Sequence, residues 1–460
     1  MQQFFRNARV AQPDGTLLPV DILVTDGVIR RFDPAGTTPP PADVVPIDLH
    51  GLFVMPGAVD GHVHFDDPGF TEREDFATGT MSAAAGGVTT IVDMPCTSLP
   101  PVTTTDNFNM KMRAIAPKAY VDYALWGGTT PSFIDSGAYR RLLPELRELG
   151  VVGIKAYTIS GMQTYPRLDT RQMVMLFEAA RDSNMLVAVH AEDYFLASYY
   201  SEKIIREGRT DPLAYKDGRT YDAEPLAVST VLALARREAT RVHIVHLSTS
   251  AGVDLVRQAK GQGIDATAET CPHYLLLNRA DFVRLGSLVK VTPPLREAYD
   301  NEVLWAGLLD GTIDYVATDH AAGVYPREKV VDNIWNAYAG IPGVQLRVPL
   351  MLYEACTLRG MTLYRLGEIL STNPAKRLGL FPRKGTLAVG SDADFTCIDL
   401  DAATVIHAQD LYSRNKYTPF EGRELQGAVL QTYVRGNQVY DSTTGAFPEG
   451  PGYGTYIKAQ

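Results

Sequence analysis

Cysteine is scarce in this chain: Cys96, Cys271, Cys356 and Cys397 are the only four among 460 residues. They stand far apart and match neither a zinc-cluster spacing nor a disulfide framework, which excludes a small stapled secreted fold. No apolar run approaches the ~20 residues that a membrane helix needs. The start, Met1-Gln2-Gln3-Phe4-Phe5-Arg6, lacks the charged-then-apolar pattern of a leader. Lysine and arginine never gather into a stripe, and 53 acids against 43 bases leave a net charge of −10, so no nucleic-acid footprint is present. Disorder is excluded by 45% apolar residues beside only 21% charged ones. A soluble protein of a reducing compartment, the cytoplasm, is expected, with a small molecule as its partner.

What is present is a two-part texture. Residues up to about Leu52 hold short β-rich runs broken by turns, as in Val20–Val24, Asp26-Gly27 and Val28–Phe32. Asp26-Gly27 is a hairpin signal. The texture returns after Lys384, in Phe395–Leu400, Val429–Arg435 and a Gly436-Asn437 turn, while Pro34–Pro41 reads as a surface loop. Between the ends, short apolar strands alternate with helix-like segments, the pattern of βα units on a parallel sheet. Strands are expected at Val59–His64, Thr89–Asp93, Val121–Trp126, Val151–Tyr157, Leu186–His190, Val242–His246, Asp265–Glu269, Val289–Thr292 and Tyr315–Thr318. A closed barrel takes eight, so one, Val289–Thr292, is read as accessory. The fold class is therefore α/β, a TIM-type (β/α)8 barrel. The alternative is a doubly wound open sheet, although no Gly-rich phosphate turn follows the first strand.

Several of these apolar strands end in residues that a buried strand would not otherwise carry. Val59–His64 ends with His62 and His64 at i, i+2, on one side of the strand. Lys155, His190 and His246 end three further runs, and Tyr315–Thr318 leads into Asp319-His320. The C-terminal strand ends are where a barrel builds its active site, so these side chains would converge. His50 and His407 fall in the end segments and read as structural. His243 shares the face of Val245 and reads as packing or support, and His273 and His320 could support the others.

The residue types define the chemistry. Imidazole and carboxylate are ligands for zinc and similar divalent ions. Two ions need a bridging anion, and six positions with one carboxylate are short of negative charge. Lys155 resolves this if its amine takes up carbon dioxide as N6-carboxylysine, because burial disfavours the ammonium form. A bare ammonium beside two cations is electrostatically untenable. The alternative, Lys155 salt-bridged to Asp319 in a metal-free site, leaves four histidines without a purpose.

These residues resemble the cyclic amidohydrolases of the amidohydrolase superfamily: hydantoinases and dihydropyrimidinases, allantoinases and dihydroorotases. The resemblance runs through Pro56–His64, Ser82–Thr90, Asp93-Met94-Pro95, Glu269–Tyr274, Pro293–Arg296, Thr318-Asp319-His320, Asn373-Pro374-Ala375 and Lys384–Asp394. It implies that His62, His64, carboxylated Lys155 and Asp319 hold a buried ion, zinc, and that Lys155, His190 and His246 hold an outer one. It implies that the chain ends join into a small β-sandwich, giving 1–54 and 385–460 as its two parts and 55–384 as the barrel. It further implies a homo-oligomer, dimer or tetramer, and hydrolysis of a ring amide with Asp319 as catalytic acid–base.

Departures narrow the substrate. Dihydroorotases usually place an arginine and an asparagine where this chain has Asp66 and Cys96, and an acid there would repel a carboxylate substrate. Asp66 either selects polar or cationic substituents or is a solvated loop acid. Ser160 stands where dihydropyrimidinases carry a tyrosine, with Tyr157 and Tyr165 nearby, and Ala339 where they tend to carry an asparagine. Ser160, Thr292 and Gly340 are expected substrate contacts, the last two through backbone groups that hold the ring's amide edge. Asp67-Pro68-Gly69, Ser98–Pro101 and Lys416–Pro419 resemble allantoinases, and L-hydantoinases share several of these features. The match favours the allantoinase and hydantoinase side. The alternatives are dihydroorotase or dihydropyrimidinase activity, another metal-dependent deaminase or esterase, and a non-catalytic dihydropyrimidinase-like scaffold.

Overall fold

A computed structural model describes residues 1–460. Its centre is a ring of parallel strands: β1 (Ala58–His64), β2 (Val88–Asp93), β3 (Asp122–Leu125, resumed at Gly127–Gly128), β4 (Ile154–Tyr157), β5 (Val187–His190), β6 (Val242–Ile244), β7 (Ala266–Thr270) and β8 (Tyr315–Val316, resumed at His320–Ala321). Each strand pairs with the next. The resumed part of β8 pairs with β1, His320 beside Val63, so the ring closes. Val289–Thr292 joins no strand; it begins on Val289, the last residue of a 3-10 turn at Gly286–Val289. The strands are buried, Thr267 of β7 alone being partly exposed, because they face packed side chains inside the ring and helices outside it.

Several strands stop earlier than their apolar runs. Val242–His246 was expected as one strand, but pairing ends at Ile244 because His246 turns into the left-handed region at φ +41°. The same break, at Asp319 with φ +49°, splits β8. Left-handed backbone at a non-glycine costs on the order of 1 kcal/mol and concentrates where function needs it. Helices begin where the sequence offers caps. Asp169 and Gln172 form a reciprocal capping box at the start of Thr170–Asp182, and Asp193 caps Tyr194–Arg206. Between β5 and β6 the chain inserts Tyr194–Arg206 and Pro212–Gly218 before the helix Ala223–Glu238, which brings Tyr215 and Arg219 over the ring. No helix is long and apolar enough to cross a membrane.

Both chain ends enter one eight-stranded sheet. Gln2–Ala11 lies between Leu17–Thr25 and Phe53–Pro56, and the latter pairs with Phe395–Val405, then Glu424–Val434 and Asn437–Asp441. Phe5 and Tyr433 sit three strands apart, ~14 Å in a flat sheet, yet their rings are 5.2 Å apart. The sheet therefore folds over on itself as a sandwich around Phe5, Phe395 and Tyr433. Asp26-Gly27 makes the expected hairpin turn, both residues at positive φ, while the second turn falls on Arg435-Gly436, one residue earlier than expected. The last residues leave the sheet and run along the barrel: Ile457 donates its N–H to the Tyr123 carbonyl and Gln460 to that of Gly379.

A buried ion cluster ties the two units together. Lys384 Nζ lies 2.5 Å from Asp122 of β3, 2.8 Å from Asp394 and 2.9 Å from Asp392, with Arg435 also on Asp122. Replacing Lys384 with Met would leave buried carboxylates without their cation. A loss of about 3–5 kcal/mol is expected, read from the urea midpoint at unchanged slope; an unaltered midpoint would show that the cluster is dispensable.

Candidate metal centre and active site

The carboxyl ends of the strands bring the expected residues together. His62 and His64 project from β1 on one side, their Nε2 atoms 3.3 Å apart. Asp319 Oδ1 lies 3.0 Å from His62 Nε2 and 3.1 Å from His64 Nε2. One ligand atom from each of these three residues lies within 4.8 Å of the others, a geometry that could hold a metal ion. Beside them, His190 Nδ1 lies 2.9 Å from His246 Nε2, and the His62 and His246 rings are 5.6 Å apart. Lys155 is the second residue of β4, its Nζ buried and without a hydrogen-bond partner, so it is not salt-bridged to Asp319. His246 Nδ1 is likewise buried and unpartnered.

The side chains behind this group decide which atoms face it. Glu269, on β7, takes His62 Nδ1 at 2.5 Å and His243 Nε2 at 3.1 Å, and His243 is held further by Thr267 and Tyr315. That leaves His62 Nε2 for Asp319. Glu192 holds His190 Nε2 at 2.9 Å and is itself clasped by Arg219 at 2.5 Å, which leaves His190 Nδ1 for His246. Asp60 accepts from the Thr318 hydroxyl at 2.6 Å and the Thr318 N–H at 3.1 Å, fixing the turn that presents Asp319. Carboxylates that grip the far nitrogen of an imidazole are the usual second layer of a metal site.

Electrostatics follow from burial and neighbours. Burial pulls the Lys155 amine down to about 8, against the attraction of Cys96, Asp319 and Glu269. Burial also opposes charge on His64, but Cys96 and Asp319 outweigh it and lift that imidazole to about 10. Burial would raise Asp319, yet His62 and His64 hold its carboxyl well below the usual range. Burial, reinforced by His190, drives His246 well below an ordinary imidazole. A crowded set of imidazoles around one ionised carboxylate, with an orphaned amine and an orphaned ring nitrogen, fits divalent cations.

The four imidazoles of this group and Asp319 floor a cavity of about 500 Å³ that also takes in Cys96, Tyr157, Ser160, Tyr215, Arg219 and Thr292, while Lys155 lies beneath its surface. Tyr157 stacks on the His190 ring and its hydroxyl meets Cys96 Sγ at 3.1 Å. The Ser160 hydroxyl lines the cavity but donates to the Tyr165 carbonyl at 2.8 Å, within its own loop. Thr292 Oγ1 lies 2.5 Å from Tyr215 Oη. Gly340 lines the cavity with both backbone groups engaged: its N–H donates to the Lys290 carbonyl, and its carbonyl accepts from Lys329 and Tyr417. A side chain there would collide with the Ala321 carbonyl, 2.3 Å from an added Cβ. Asp66 is only 1% exposed, so it is not a solvated loop acid; both its oxygens are unpartnered, and burial pushes its carboxyl well up. His320 turns away to Glu74 at 3.1 Å, and His273 is buried against Tyr274.

The sequence reading missed Glu269, Glu192 and Arg219. An acid inside the otherwise small and apolar run Ala266–Thr270 was the available signal for Glu269. Nothing local marked Glu192 or Arg219, whose pairing spans 27 positions.

A closed β/α barrel that gathers imidazoles, a carboxylate and a buried amine at the carboxyl ends of its strands has the architecture of a barrel metallohydrolase. The chain belongs to the amidohydrolase family, whose model matches residues 53–439. It is 37% identical to an allantoinase of Deinococcus radiodurans over 438 residues, 95% of each chain. It is 36% identical to an L-hydantoinase of Paenarthrobacter aurescens over 94% of this chain and 93% of the relative. Among solved structures, an L-hydantoinase (dihydropyrimidinase) from Arthrobacter aurescens superimposes with a TM-score of 0.93 at 32% identity, covering all of both chains.

Replacing Glu269 with Ala frees His62 Nδ1 and unseats the imidazole. Affinity for zinc is expected to fall by about 10- to 100-fold, measured by competition with a chelator; parent affinity would remove Glu269 from this role.

Proposed function

We propose that this protein hydrolyses a ring amide of a cyclic ureide, on the allantoinase and hydantoinase side of its family. The observation that carries the reading is the convergence of the His62, His64 and Asp319 cluster and the His190–His246 pair on the floor of one cavity, with the unpartnered Lys155 buried in the strand layer below them. The names of its relatives point the same way. His62, His64 and Asp319 would hold one divalent ion and His190 and His246 a second, with Lys155 as N6-carboxylysine between them and zinc as the metal. Bound there, the ions would lower the proton affinity of a water towards neutrality and polarise the ring carbonyl.

The chain's own residues supply the remainder. Carboxylation of Lys155 joins the neutral amine to carbon dioxide and releases a proton, and an amine lowered to about 8 offers that neutral form. Asp319, held ionised by the two imidazoles, takes the proton of the attacking water and passes it to the departing ring nitrogen. Thr292 and the backbone beside Gly340 would hold the amide edge of the ring. With both groups of Gly340 engaged, that task falls to the neighbouring Ala339 amide, which makes no bond within the chain. Ser160 would border the ring, while Asp66, expected to meet a substituent, is buried and does not line the cavity. Asp66 and Cys96, standing where a cation and an amide would hold a ring carboxylate, disfavour a substrate such as dihydroorotate.

The four cysteines are unpaired, which fits a reducing compartment, and the cytoplasm is the proposed location. A homo-oligomer is proposed as well, for which the exposed Phe195 and Tyr199 offer apolar surface.

Purified enzyme supplied with zinc, assayed against allantoin, hydantoin, dihydrouracil and dihydroorotate, is expected to open allantoin or hydantoin rings fastest. A zinc-loaded protein that opens none of the four would overturn the reading. Replacing Asp319 with Asn is expected to lower kcat by about 10²- to 10⁴-fold while metal stays largely bound. Turnover at the parent rate would take the acid–base role from Asp319.

A further inference from the structure

Two lysines near the cavity play no part in this chemistry and are almost fully buried: Lys290 is 5% exposed and Lys329 1%. Backbone carbonyls, not carboxylates, receive their protons. Lys290 Nζ donates to the carbonyls of Ala337 at 2.7 Å, Ile334 at 2.9 Å and Trp335 at 3.4 Å. Lys329 Nζ donates to those of Gly340 at 2.8 Å, Tyr338 at 2.9 Å and Lys290 at 3.3 Å. The Lys290 carbonyl also takes the Gly340 N–H at 2.9 Å, so the two lysines interlock. From the end segment, Tyr417 Oη donates to the Gly340 carbonyl at 3.2 Å and accepts the Gly323 N–H at 2.9 Å. This gives Lys416–Pro419, singled out in the sequence but unused by the chemistry, a place beside the site.

All of these bonds fall on residues 334–340 or their immediate support. Beyond one short turn at Ile334–Asn336 that segment has no regular structure to hold it, yet Trp335, Ala337, Tyr338, Ala339 and Gly340 line the cavity. Burial disfavours the charged form of both amines, drawing Lys290 down to about 8 and Lys329 well below the usual lysine range, and bonding their protons to carbonyls offsets that cost. The carbonyls at 334, 335, 337, 338 and 340 are thereby committed and withdrawn from contact with a ligand. Among the N–H groups of 334–340 only that of Ala339 is left unbonded, and among the carbonyls those of Asn336 and Ala339.

We propose that Lys290, Lys329 and Tyr417 are positioning residues that set the backbone of 334–340 so that the Ala339 amide meets the edge of the substrate ring. This rests on the ring-hydrolysis reading above. The clamp fixes where the ring lies without touching the reacting carbonyl, so its loss weakens binding of ground and transition states alike.

The test uses the zinc-loaded, full-length Lys329→Met and Tyr417→Phe variants; the second removes one hydroxyl and serves if the first does not fold. Amide hydrogen exchange across 334–340 is expected to quicken by about 10-fold or more with the rest of the barrel unchanged. KM for whichever ring the parent opens is expected to rise about 10-fold, one hydrogen bond's worth of binding, with kcat within about 3-fold and metal content as in the parent. Unchanged exchange, an unchanged KM, or loss of metal together with kcat would each overturn the proposal. If the parent opens no ring, the functional reading fails by itself, and the exchange measurement decides the clamp: faster supports it, unchanged overturns it.

Discussion

The arrangement depends on one constraint: six polar side chains from five strands are gathered at one end of a barrel, five of them buried and Asp319 nearly so, where an unmatched charge is expensive. The protein meets it by opposing the groups to one another. Asp319 is shared by His62 and His64, while Glu269 and Glu192 hold the outer nitrogens of His62 and His190. Two atoms escape this matching, Lys155 Nζ and His246 Nδ1. An amine left alone there loses much of its preference for the charged form. The proposed carboxylation is the chemical answer to that burial, since it replaces an unmatched cation with an anion facing the imidazoles.

The same economy of groups shapes the cavity wall. Where the floor is built from side chains at strand ends, the wall at 334–340 is built from backbone that side chains hold in place. The floor supplies charge for the reaction, and the wall supplies neutral donors and acceptors suited to a ring amide. Strain sits where these parts meet, at His246 and Asp319, whose left-handed backbone ends strands that could otherwise have continued. Stability is provided elsewhere, in the barrel core and in the Lys384 cluster joining barrel to end sheet.

The barrel and its floor were legible because strand-end residues break an apolar period that nothing else explains: His62, His64, Lys155, His190, His246 and Asp319 all interrupt buried runs. The accessory status of Val289–Thr292 was legible by counting. Strand ends were not, because the break at His246 is a backbone choice that an apolar Val242–Val245 run conceals. Glu192 and Arg219 escaped notice because their partnership is spatial. Gly340 was rightly placed at the cavity, but its backbone groups are already taken by Lys290, Lys329 and Tyr417, three residues that a one-dimensional reading cannot bring together.

The central claim is that Lys155 carries a carboxyl group between the imidazoles. Carbon-13 NMR of the zinc-loaded enzyme, prepared in labelled bicarbonate, tests it most directly. One carbamate carbon per chain that vanishes on replacing Lys155 with Ala is the predicted result. A parent spectrum without that carbon, or a signal that survives the replacement, would contradict the account.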